Sequence, residues 1–279
     1  MPTALEVRTR TVLDVPVAVS TAVAPLLGRP ATGVVVASFP AAVYVRLDGG
    51  RVLAVVASDG LRLPNALVLA ASSREAPFAQ VRAGDPAAVT GGALVLAGLR
   101  CRPVRAWAPR ERTGGTLQAD AVDALDALLS AAPPVHTGEV ARRLRAATTR
   151  LGDALRGRDD LAGAADALVG LGPGLTPAGD DVLAGVLVTH VHLGHRLDAL
   201  TAQVVRRAGA TTALSAELLR HAGEGRAAPP VLGLLDALVG ARPVRPALLA
   251  LLAVGSTSGA DTATGVLLAA RSLDPRRVT

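Results

Sequence analysis

The sequence contains no lysine; all 29 of its basic residues are arginine. That excludes a P-loop lysine on a nucleotide phosphate and any Schiff-base lysine. Aromatic side chains are nearly missing, with only Phe39, Tyr44, Phe78 and Trp107 present. A stacking platform for nucleic acid therefore has almost nothing to build on, and the core must be made of Ala, Val and Leu. The single cysteine, Cys101, allows neither an internal disulfide nor a multi-thiolate metal site. It reads as a small buried hydrophobe and fits a reducing compartment. No Gly-x-Ser-x-Gly elbow and no Cys/His nucleophile pair occurs. The first residues, MPTALEVRTRT, lack the charged-then-apolar pattern of a secretory signal. The longest charge-free run, Pro30 to Val45, is 16 residues broken by proline and glycine, short of the roughly 20 needed to cross a bilayer. The expectation is a soluble cytoplasmic protein with neither a membrane nor a nucleic-acid partner.

What is present is ample for a buried core: 279 residues, 50% of them hydrophobic and 19% charged. The formal charge of +6 is unevenly placed, with 13 Arg against 7 acids in residues 1–118 and balance beyond. The surplus is densest at Arg100, Arg102, Arg105, Arg110 and Arg112. It reads as a solvated strand edge and loop, with a face for an anionic substrate or a partner subunit as the alternative.

From Gly33 to about Trp107 the pattern is β-like: GVVVASF, then AVYVRLDGGRVLAVVAS with a hairpin turn at Asp48-Gly49-Gly50, then ALVLAA and ALVLAGLRCRPVRAW. Pro64 and Asn65, the latter the chain's only asparagine, read as a turn between strands, with a site role at the end of a strand as the alternative. Beyond the polar segment 108–118, Ala, Leu and Arg recur at helical spacing. They predict helices at 119–131, 138–156, 159–169, 177–195, 197–208, 212–223, 231–240, 244–253 and 259–272. Val182–Leu193 and Ala247–Val254 are apolar nearly all round and should be buried by neighbours. The fold class is α+β: a β-rich sandwich or barrel over 1–118, followed by a larger all-helical domain over 119–279.

Two stretches have the composition of a site. The first, Gly170 to Asp181 (GLGPGLTPAGDD), packs Gly170, Gly172 and Gly174 into five residues and then opens an apolar helix. Its glycines let backbone amides approach a ligand, Thr176 can cap, and Pro177 suits a first helical position. Outward amides at the helix start form an anion site. A glycine-rich turn that starts a helix, with acids that stabilise its dipole, explains part of the pattern. Neighbouring helical residues point about 100° apart, so Asp180 and Asp181 cannot share one task. One would face a ligand while the other bonds backbone or Arg. Carboxylates beside an anion cradle suit a cation or the NH2 of an amide or carbamoyl group. Asp180 and Asp181 are the catalytic candidates; Gly172, Gly174, Thr176 and Gly179 are substrate-binding candidates.

The second stretch, Gly255 to Asp261 (GSTSGAD), also opens a helix. Ser258 and Asp261 resemble a capping box. The alternative is a wall of hydroxyls and amides facing the first loop, with Ser256, Thr257, Ser258 and Asp261 as further substrate-binding residues. If both helix starts converge, they line a small-molecule pocket. His190, His192 and His195 are read as core or surface residues, since 190 and 192 diverge by about 200° on a helix and a shared metal would need irregular backbone. His136 and His221 stand alone; the latter precedes a Gly-x-Gly helix stop. No metal ligand set is assigned, and a divalent cation such as Mg2+ stays open as the cofactor.

The run GLGPGLTPAGDDVLAGVL, followed by GSTSGAD, resembles the AllH-type oxamate carbamoyltransferase subunit family. The motif residues match between about 170 and 261. Ala178 stands where that family carries a hydroxyl residue, so any contact from that hydroxyl is absent. The resemblance implies carbamoyl transfer between oxalurate and phosphate, giving oxamate and carbamoyl phosphate, in purine and allantoin breakdown. It also implies an assembly with other carbamoyltransferase subunits. The ligands it implies are small anions: phosphate, carbamoyl phosphate and oxamate. Arg from the N-terminal cluster or from a partner would neutralise developing charge. Outside that class, the chain reads as a noncatalytic assembly or ligand-sensing subunit, or as a metal-dependent enzyme using the Asp pair.

Overall fold

A computed structural model describes residues 13–110 and 115–277. The chain divides into two compact units, Met1–Ala108 and Pro109–Thr279.

The first unit is a closed eight-stranded barrel. Its strands are β1 (Leu13–Ser20), β2 (Ala31–Ser38), β3 (Ala42–Leu47), β4 (Val52–Val56), β5 (Ala66–Leu69), β6 (Pro86–Thr90), β7 (Ala93–Leu96) and β8 (Leu99–Trp107). Around the barrel the order is β1-β5-β4-β3-β2-β6-β7-β8, and β8 closes on β1 in parallel. Alternation points Val43, Val45, Leu53 and Val55 inward, and closure leaves no open edge. The 93–107 run, read as one stretch, folds back at Ala97-Gly98 into the antiparallel pair β7–β8.

Pro64-Asn65 is more than a turn. Asn65 is fully buried, its Nδ2 donates to the Val52 carbonyl at 2.9 Å, and its own carbonyl accepts from Ala54 N at 3.0 Å. Both bonds pin the parallel pairing of β4 with β5, which a tight turn cannot make. Cys101 lies in the barrel core, where burial pushes its thiol up to about 12. Arg102 meets Asp14 at 3.3 Å with both side chains about half exposed, an ion pair of small energetic value. Arg112 lies outside the described residues.

The second unit is helical: α1 (Ala119–Ala131), α2 (Gly138–Ala154), α3 (Leu161–Asp166), α4 (Ala178–His192), α5 (Asp198–Arg206), α6 (Ala213–Gly223), α7 (Pro229–Leu238), α8 (Val244–Leu252) and α9 (Ser258–Leu273). Pro133-Pro134, the 170–177 loop and Pro243 fall between them, and Pro229-Pro230 begin α7, because proline fits a first helical turn but not a helix interior. α4 is buried along nearly its whole length, as an all-round apolar helix must be. It packs closely on α9 through two glycines. A Cβ on Gly185 would overlap the Thr262 carbonyl oxygen, and one on Gly265 would overlap that of Val182.

The apolar run 247–254 departs from the expected burial. α8 turns only Ala247, Leu248 and Leu251 inward, and Leu249 is 58% exposed. Composition alone did not separate this one-sided helix from α4, because its outer face carries Leu and Ala in place of charges. Among the described residues no helix is long and apolar enough to cross a membrane.

Candidate functional site

The closeness of α4 to α9 brings their N-terminal ends, and the two loops that open them, into contact. Thr176 Oγ1 of the first loop lies 2.9 Å from Ser258 Oγ of the second. Ser258 thus makes no capping box with Asp261; α9 begins after Thr257 without a side-chain cap. Thr176 and Ser258 are partly exposed, and Asp181 and Asp261 are buried, at 8% and 3% exposure.

The two adjacent acids of α4 have separate surroundings. Asp180 accepts from Gly170 N at 2.9 Å, from Ser215 Oγ at 2.8 Å, and from Thr211 Oγ1. It ties the glycine loop to the start of α6. Desolvation raises its carboxyl above the usual range, against these three donors. Asp181 has a buried Oδ2 with no hydrogen-bond partner. Burial pushes its carboxyl up to about 8, opposed by the Ser258 and Thr176 hydroxyls and reinforced by the neighbouring charges of Asp261 and Asp180. Burial therefore favours the protonated acid over the carboxylate.

Asp261 pairs with a residue that the sequence pattern set aside. Nε2 of His136, in the connection between α1 and α2, lies 2.9 and 3.0 Å from its two oxygens. Burial raises the Asp261 carboxyl, and His136 pulls it back. The sequence held one signal for this histidine: it stands in a Pro-Pro-Val-His connector, where no apolar stripe accounts for it. Thr211 and Ser215 carried no such signal.

The helix-start amides do not stand open. Gly179 N donates to Leu171 O at 2.9 Å, and Asp180 N and Asp181 N donate to Pro177 O at 3.0 and 3.1 Å. At α9, Gly259 N bonds Val254 O, while Ala260 N and Asp261 N bond Thr257 O. The expected anion cradle of free amides is thus occupied at these positions by the loops' own carbonyls.

The glycines also separate by role. Gly179 serves packing, since a Cβ there would overlap the Leu168 carbonyl oxygen. Gly172, at φ +113°, would bring a Cβ against Ala178 N at 3.0 Å. Gly174, at φ +97°, is exposed and has open space where a Cβ would stand. Ser256 is exposed and Thr257 partly so.

The remaining histidines lie apart from this cluster's bonds. His190 Nδ1 is 3.0 Å from Val186 O, and burial lowers that imidazole to about 4. His192 Nε2 bonds Gly225 O at 2.8 Å, and His195 is exposed. His221 sits 3.2 Å from Glu217 inside α6, which stops just beyond it. Among the described residues no group of three or more His, Cys, Asp or Glu side chains is placed to hold a metal ion.

Residues 168–270 match the family model of oxamate carbamoyltransferase subunit AllH. The AllH match begins just before the first loop and ends inside α9, so both loops and the buried Asp180, Asp181 and Asp261 fall within it. The barrel, α1, α2 and His136 fall outside it. No solved structure matches the chain.

Proposed function

We propose that this protein is a component of a carbamoyltransferase-type assembly and that its 170–181 and 255–261 loops hold a small carbamoyl-bearing anion. One observation carries the reading: Asp181 Oδ2 is buried beside the Thr176–Ser258 contact and lacks a donor. A buried acceptor left unsatisfied costs about 1–3 kcal/mol, and a carbamoyl NH2 supplies the missing hydrogen bond. In this reading Asp181 captures the carbamoyl nitrogen. Thr176, Ser256, Thr257 and Ser258 form the hydroxyl wall, Gly172 and Gly174 let the ligand come close, and Gly179 and Asp180 hold the loop in place. The reaction is transfer of the carbamoyl group between oxalurate and phosphate, giving oxamate and carbamoyl phosphate. The family's description as a subunit supports the need for partner subunits, which would add cationic groups for the phosphate.

Calorimetric titration with carbamoyl phosphate, phosphate and oxamate, with and without Mg2+, tests the assignment. Saturable binding of carbamoyl phosphate, weakened at least about tenfold in Asp181→Asn, is expected. Silence from all three ligands, with the chain alone and with its partner subunits, would contradict it. A second reading, a noncatalytic ligand-sensing subunit, is favoured by the engagement of the first-turn amides. Binding without any turnover in the reconstituted assembly would select that reading.

A further inference from the structure

We propose that His136, held through Nε2 by Asp261, is the group that moves the proton in this site, exchanging it at Nδ1 with the reacting ligand. The inference rests on the carbamoyl-transfer reading and adds to it a residue from outside the family-matched segment.

The argument starts from the hydrogen bonds. Nε2 of His136 lies between both oxygens of Asp261, at 2.9 and 3.0 Å. An ionised carboxylate only accepts, so Nε2 carries the hydrogen and, in the neutral ring, Nδ1 carries the lone pair. A buried acid that fixes the tautomer of an imidazole is how a histidine is made ready to take a proton. The pair is buried but not closed off, since the His136 side chain is 15% exposed and that of Asp261 4%. His136 faces Asp261 on α9, and Asp261 in turn opposes the charge of Asp181 on α4. Neighbouring carboxylates oppose each other's ionisation, and an imidazole beside one of them favours ionisation of that one. His136 pulls the Asp261 carboxyl back down against its burial, whereas Asp181, without such a partner, is raised to about 8.

Such a division suits carbamoyl transfer. As an oxygen of hydrogenphosphate bonds to the carbamoyl carbon, its hydroxyl proton passes to Nδ1. The C–N bond then breaks with its electron pair on nitrogen, which takes the same proton back. Carbamoyl phosphate and the amide product leave, and the protein ends in its starting protonation state.

The test combines turnover of the reconstituted assembly, over about pH 5 to pH 9, with carbamoyl phosphate titrations of wild type and His136→Gln. The inference expects the variant to keep affinity within about threefold and to lose about 100-fold or more in turnover across that range. Turnover within about threefold of wild type overturns it while leaving the carbamoyl reading intact. Equal losses of binding and turnover also overturn it, by showing a structural role. A wild-type assembly that neither binds nor turns over removes the underlying reading and this inference with it. A measurement on the wild-type chain guards against a misfolded variant. The side-chain 15N resonances of His136, assigned by their absence in His136→Gln, should show the Nε2–H tautomer and shift with carbamoyl phosphate. The opposite tautomer, or no response to ligand, overturns the inference.

Discussion

Thr176 and Ser258 touch through their hydroxyl oxygens at 2.9 Å although 82 residues separate them along the chain. This contact closes the two glycine-rich loops over Asp181, and the crossing of α4 and α9 beneath makes it attainable. A part-buried hydrogen bond of this kind contributes about 1 kcal/mol. Thr176→Val and Ser258→Ala should each destabilise the protein by about that amount in urea unfolding. The double variant should show a coupling of about 0.5 kcal/mol or more, and additivity would mean the loops are held by other contacts.

Asp181 makes stability depend on pH in a definite direction. Its folded carboxyl sits near 8, above the ordinary carboxylate value of 3.8, so the folded state holds a proton that the unfolded state releases. That stabilisation is complete at pH values below the unfolded pKa and is lost as pH rises toward 8. Asp180 and Asp261 are raised by burial as well and act in the same sense. Unfolding free energy should fall across this window by an amount on the order of a few kcal/mol. Asp181→Asn, which cannot ionise, should flatten much of the decline. Equal slopes in both proteins would show that Asp181 ionises normally.

Much of this was legible in the sequence, for reasons that specific residues make plain. Proline and glycine punctuation set the helices: the span 119–131 is α1 residue for residue, and the motif loops open α4 and α9 as their Gly and Thr content suggests. β1 was missed, because Pro16 interrupts LDVPVAVS and the strand is defined by its parallel pairing with β8 at the far end of the barrel. β6, PAAVT, was too short and too poor in branched residues to stand out. The His136–Asp261 pair spans 125 residues, and no local pattern encodes such a contact. Periodicity is equally silent on the first-turn amides, whose partners are carbonyls set by the path of the loops.

Asp180 and Asp181, adjacent in sequence, should separate in experiment. Asp180→Asn puts an NH2 where three donors converge, leaving buried groups unpaired at a cost of about 1–3 kcal/mol. Its melting temperature should fall by several degrees. Asp181→Asn should melt within a degree or two of wild type near pH 7 or above it, yet lose more than tenfold in activity of the assembled enzyme. Matching losses of stability in the two variants would erase the distinction.

Gly265→Ala probes the helix crossing. The added methyl would overlap the Val182 carbonyl oxygen, forcing α9 away from α4. Overpacking of this kind costs about 1–3 kcal/mol, and here it should also weaken ligand binding by parting Thr176 from Ser258. Gly209→Ala, outside both loops, is the control: its Cβ meets open space and its backbone is not left-handed. Thermal melting with ligand titration checks both, and a harmless Gly265→Ala would deny the crossing its role.

Amide hydrogen exchange with and without carbamoyl phosphate tests the central claim most directly, because it reads both loops at once. The account predicts slowed exchange in residues 170–181 and 255–261 together, with the protection of both lost in Asp181→Asn. Protection of one loop alone, or of neither while a surface of the barrel slows, would contradict it.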